Sequence, residues 1–118
     1  MLDEKQKIFI PLLEDRGVNS KISLHFGHAP YFGLYDLATK ELVIKENVLD
    51  HSDSLLSPVD QIIKSADPTI VFALDMGRRA INLFTEKNVS LKTGPYQILK
   101  EVLDNIDNLA DLSQSCGH

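Results

Sequence analysis

The chain has 118 residues, 43% hydrophobic and 25% charged, with a formal net charge of −5. That length fits one domain, residues 1–118, able to bury its own core, and the single cysteine, Cys116, excludes an internal disulfide. Nucleic acid and anionic membrane surfaces call for clustered Lys and Arg and are not the expected partners; with no apolar run near the ~20 residues that span a bilayer and no signal-type stretch, the expected location is cytoplasmic.

Residues 7–10, KIFI, form a short apolar run before Pro11 and read as a buried strand. Residues 12–30 hold Gly17, Asn19, Ser20, Gly27 and Pro30 and read as a long loop, of the kind that often carries function. Ile22 and Leu24 alternate with polar residues and fit a short extended piece within it. Residues 31–37 and 41–46 suit two strands separated by Ala38, Thr39 and Lys40, which predicts an antiparallel hairpin. Residues 47–55 read as a polar connection, with His51 a solvated loop residue.

Ser57-Pro58 marks a helix start, a hydroxyl cap followed by proline in the first turn. Val59, Ile62, Ile63 and Ala66 then share one helical face, and Asp67-Pro68 closes the helix. Residues 69–74, TIVFAL, read as a strand buried on both faces. Asp75 is the expected cap of a second helix carrying Met76, Ala80, Leu83 and Phe84, with Asn88 at its C-terminal end. Residues 89–92 read as a strand. Thr93-Gly94-Pro95 then opens a third helix with Leu99, Val102, Leu103 and Ile106 on one stripe. Residues 108–118 are expected to form a flexible tail.

This order predicts an α/β fold: a mixed five-stranded sheet with an antiparallel hairpin and three helices. Strand–helix alternation in the second half implies parallel strands joined by right-handed crossovers. Ligands in such sheets gather at the C-terminal ends of the parallel strands, near the topological switch point. The loop after the first strand and the loop after TIVFAL both leave from that edge.

Three groups of residues could carry chemistry. His25 and His28 flank Gly27 in the first loop. Two imidazoles at this spacing can share a metal, with glycine allowing close backbone approach; they can equally serve as loop hydrogen bonders facing water. Gly77, Arg78 and Arg79 lie at a strand-to-helix junction, where free N–H groups and the helix dipole favour anions, although a carboxylate cap at Asp75 would oppose this. Cys116 and His118 form a C-x-H pair that could chelate a soft metal or belong to an untethered tail. No glycine-rich phosphate loop is present, and no nucleophile–base pairing can be assigned.

The stretches "KIFIP", "SLHFGHAPYFGLYD", "IVFALDMGRRAINLF" and "NVSLKTG", in that order, resemble the dinitrogenase iron–molybdenum cofactor biosynthesis family, the small domain of NifX and of the NifB C-terminus. The likeness spans about residues 7–107. It implies a ribonuclease H-like fold. It also implies a non-catalytic carrier of an iron–sulfur cluster or iron–molybdenum cofactor precursor, exchanging cargo with metallocluster donor and acceptor proteins. Carried onto this chain, the family's loop histidine is His25, beside Phe26 and Gly27. His28 stands where relatives often have arginine, and Leu74-Asp75 where they often have glycine. Two other functions compete. A nuclease would need clustered carboxylates for two metals, and the KIFI strand offers none. A regulatory or protein-interaction domain could bind zinc or nickel through His25, His28, Cys116 and His118.

Overall fold

The computed structural model describes residues 6–49 and 57–112. Its strands are β1 (Lys7–Leu12), β2 (Tyr31–Asp36), β3 (Leu42–Glu46), β4 (Ile70–Phe72), β5 (Ser90–Thr93) and β6 (Ala110–Asp111). The helices are α1 (Pro58–Ala66), α2 (Arg78–Glu86) and α3 (Leu99–Asp104). One sheet contains all six strands in the order β3-β2-β1-β4-β5-β6. β1, β4 and β5 run parallel, and the other neighbours are antiparallel. The mixed sheet and its hairpin agree with the sequence reading; among the described residues there are three α-helices, as expected, and six strands, not five.

β1 continues through Pro11, where the sequence reading ended it at Ile10. The reason is hydrogen-bond phase. Odd residues of β1 turn their polar groups toward β4, as Thr69 N donating to Lys7 O at 3.0 Å shows. β4 pairs only with Ile8 and Phe9. The missing donor of Pro11 therefore faces a side with no strand to bond, which is where proline is tolerated in a sheet. Its carbonyl accepts from Ser23 N at 3.0 Å and ties the following loop to the strand end.

In the β2–β3 hairpin, Asp36 Oδ1 accepts from Ala38 N and Thr39 N at 2.9 and 3.2 Å, and Lys40 takes a left-handed φ of 63°. α1 begins as expected, with Ser57 Oγ accepting from Asp60 N at 3.1 Å. It ends at Asp67, left-handed at φ 48°. Asn88 is left-handed too, one residue beyond the Lys87 cap of α2.

The third helix starts four residues later than the Pro95 expected from sequence. Gln97 and Ile98 are held extended against the first loop, since Ile22 N donates to Gln97 O at 2.9 Å and Lys21 bridges Ile98. Glu101 Oε1 accepts from both Gln97 N and Ile98 N, so the helix can begin only after them.

The expected flexible tail at 108–118 is corrected over its first part. Ala110 and Asp111 pair with Thr93 and Lys92 as the sixth strand. Lys92 Nζ donates to Asp111 Oδ1 at 2.6 Å, and Leu112 is 2% exposed. Burying that leucine gives the segment a reason to order that its polar neighbours hide. Residues 113–118, with Cys116 and His118, lie outside the described residues, as does His51.

Two cores sandwich the sheet. On one face Phe9, Phe32 and Val71 pack with Phe26, with Val59 and Ile62 of α1, and with Ile81 and Phe84 of α2. On the other, Ile8, Ile10, Leu12 and Phe72 meet Leu99 and Val102 of α3. Among the described residues, no helix is long and apolar enough to cross a membrane.

Candidate functional site

Beyond the C-terminal ends of β1 and β4, where the chain order switches sides of the sheet, lies a cleft of about 690 Å³. Among the described residues, three segments enclose it: residues 24–28, the start of α1 at Ser57–Val59, and residues 75–80 running into α2 with Leu83. The two loops that the sequence places on one edge do meet here.

The histidine loop is pinned from below and open above. Phe26 is 7% exposed, 6.0 Å from each of Phe9 and Phe32 and edge-on to Phe84 at 5.7 Å and 90°. Such aromatic pairs add to the burial of the rings themselves. Ser23, almost wholly buried, donates through Oγ to His25 O at 2.9 Å. Asn47 Nδ2 donates to Gly27 O and Ala29 O at 3.1 and 2.7 Å, and Asn47 N donates to Pro30 O at 3.0 Å. Between these anchors His25 and His28 are exposed and line the cleft.

On the facing wall the expected cap is corrected. The N-cap of α2 is Gly77, which brings no side-chain cap to the first-turn amides. Asp75 Oδ1 accepts from its own neighbour, Met76 N, at 3.0 Å. Met76, 6% exposed, packs into the core from the stretch ahead of the helix. Arg78 and Arg79 occupy the first two helical positions, with no acidic residue in the first turn. Cations at this end oppose the helix dipole, and Gly leaves first-turn donors that Ser, Thr, Asp or Asn would satisfy. Gly77 has ordinary backbone angles, φ −63° and ψ 149°, and a Cβ there would meet nothing within 4 Å. Neither conformation nor space demands glycine at this position. The Gly77 start of α2 and Arg79 line the cleft; Arg78, grouped with them from the sequence, does not.

The cleft floor is apolar: Phe26, Val59, Met76, Ala80 and Leu83. A low-dielectric floor under a rim of amides, imidazoles and a guanidinium strengthens attraction for an anion. Among the described residues, Asp75 is the one carboxylate on the rim. No group of three His, Cys, Asp or Glu able to hold a metal ion occurs among the described residues. His25 and His28 therefore share the cleft without forming a closed ion cage.

Sequence reasoning missed five contributors. Met76 was assigned to the helix rather than the floor. Ser57 and Pro58 were read only as a helix start, and Ser23 and Asn47 carried no motif. A polar residue leaving a strand, as Asn47 does, is the one local signal available.

Solved structures share this fold. PH0822 is 28% identical, with 90% of this chain and 94% of that chain covered and a TM-score of 0.73. A candidate NifB protein from Thermotoga (TM1290) is 21% identical over 92% and 94%, with a TM-score of 0.74. The apo form of the orange protein from Desulfovibrio gigas is 14% identical over 95% and 97%, at 0.77. No curated protein matches the chain. The family model described as dinitrogenase iron-molybdenum cofactor matches residues 6–109, including every segment that bounds the cleft, and the chain belongs to that family.

Proposed function

We propose that the cleft binds an anionic metal–sulfur cargo, an iron–sulfur cluster or a precursor of the iron–molybdenum cofactor, and that the protein carries it between donor and acceptor proteins without transforming it. The observation that carries this reading is the start of α2. A glycine cap, no acid in the first turn and an arginine on the cleft give a helix terminus whose positive end favours a bound anion. His25 supplies a ligand from the opposite wall. Few protein ligands suit a carrier, because cargo held by many bonds is released slowly. A simple zinc or nickel ion is less well served, since the described residues offer no third ligand.

Anaerobic reconstitution with iron and sulfide, with and without molybdate, then desalting, metal analysis and a visible spectrum, tests the reading. Wild type should retain metal with charge-transfer bands. His25→Ala should change the bands and lower retention. Gly77→Asp, which places a carboxylate on the helix start, should lose the metal while raising stability by about 0.5–1 kcal/mol. Equal retention in all three proteins, or none in wild type, overturns the proposal.

A further inference from the structure

β3 is the outermost strand on its side of the sheet, and among the described residues nothing pairs with its outer edge. The opposite edge, β6, is two residues long, whereas β3 has five. Hydrogen-bond phase identifies the groups left on that edge. Asp36 N donates to Glu41 O and Asn47 N to Pro30 O, so odd-numbered residues bond inward to β2. Leu42, Ile44 and Glu46 therefore turn their N–H and C=O groups outward.

The sequence from the turn residue Lys40 along this edge is Lys40-Glu41-Leu42-Val43-Ile44-Lys45-Glu46, with β3 proper from Leu42. Reversed about Val43, it is its own complement. Lys40 falls opposite Glu46, Glu41 opposite Lys45, Leu42 opposite Ile44, and Val43 opposite itself. This register also satisfies the ladder, because the outward-facing Leu42 and Ile44 come together. A one-residue slip sets outward groups against inward ones. The next permitted register, about Ile44, sets Leu42 against Glu46 and Val43 against Lys45. Val43 is 47% exposed, and Lys40, Glu41, Lys45 and Glu46 are exposed beside it. Edge strands commonly use a lysine to prevent pairing; here each charge has an opposite partner in a second copy.

We infer that β3 is a self-association surface, where a second copy of this chain adds its own β3 antiparallel about Val43 and continues the sheet. The two-fold axis reverses β3. The clefts, on the side where Asn47 leaves the strand, then lie at opposite ends of the joined sheet and both stay open. An interface of one strand is small, so the dimer is reversible and forms at high concentration.

Sedimentation equilibrium of the full chain, up to about millimolar concentration, tests this with circular dichroism as the folding control. Wild type should show a monomer–dimer equilibrium. Glu41→Lys and Lys45→Glu should each weaken it roughly tenfold or more, because two cross-strand attractions become repulsions. An equimolar mixture of these two variants should regain dimer, since every 41–45 pair is then opposite in charge. Ile44→Pro, which removes an outward donor without touching β2, should abolish the dimer. A monomer at every concentration, or a dimer indifferent to these changes and to mixing, overturns the inference.

Discussion

The side-chain amide of Asn47 donates to the carbonyl of Ala29 at 2.7 Å, joining the exit of β3 to the loop that presents His25 and His28. The same nitrogen reaches Gly27 O at 3.1 Å, and Asn47 Oδ1 accepts from Leu49 N at 2.8 Å. Asn47→Ala removes all three bonds. The expected loss is about 1–3 kcal/mol, on the scale of ~1 kcal/mol per net hydrogen bond. Hydrogen exchange should quicken most at residues 26–30, and chemical denaturation gives the stability. Unchanged exchange in that loop would show that Asn47 does not clamp it.

Arg79 should trade stability against binding. It stands in the first turn of α2, against the dipole, and on the cleft. Arg79→Glu should raise the stability of the cargo-free protein by about 0.3–1 kcal/mol, while metal retention after reconstitution falls. Thermal melts and metal analysis of one preparation read both quantities. Loss of both together would point to simple misfolding.

Phe26 should couple the core to the histidines. Its ring meets Phe9, Phe32 and Phe84. Phe26→Ala should cost about 3–5 kcal/mol in denaturant unfolding, and Phe26→Leu much less. If the ring also fixes the loop, the two imidazoles should shift in NMR spectra of the leucine variant, which stays folded.

Leu112 distinguishes an ordered end from a frayed one. With 2% exposure, Leu112→Ala should cost about 2–5 kcal/mol. Asp111→Ala, which breaks the partly exposed ion pair to Lys92, should cost about 1 kcal/mol or less. Urea denaturation of the two variants gives the comparison, and a neutral Leu112→Ala would return the segment to a flexible tail.

Local chemistry made much of this architecture legible. Ser57-Pro58, the apolar stripe of α1, the Ala38–Lys40 turn and the left-handed Asn88 follow from caps, periodicity and backbone preferences that act within a few residues. The same holds for β1, since KIFI has to be buried. The errors fell where distant segments decide. Pro11 stays in its strand because β4 stops short of it. Leu112 is buried by a sheet edge nineteen residues away along the Lys92–Asp111 pairing. Glu101 and the Lys21–Ile98 bridge delay α3.

The candidate site divides the same way. By itself the sequence determined the residue types and their order: a histidine loop after the first strand and an arginine-bearing helix start after a buried strand. It also determined membership of the family. Only the tertiary structure decided that Gly77, not Asp75, caps α2, with Asp75 Oδ1 engaged by Met76 N and Met76 packed into the core ahead of the helix. It also chose Arg79 over Arg78 for the cleft, since adjacent helical residues point about 100° apart. And it brought Asn47, twenty residues from Gly27, beneath the loop. Side-chain direction and long-range pairing are properties of packing, and no stretch of the chain encodes them alone.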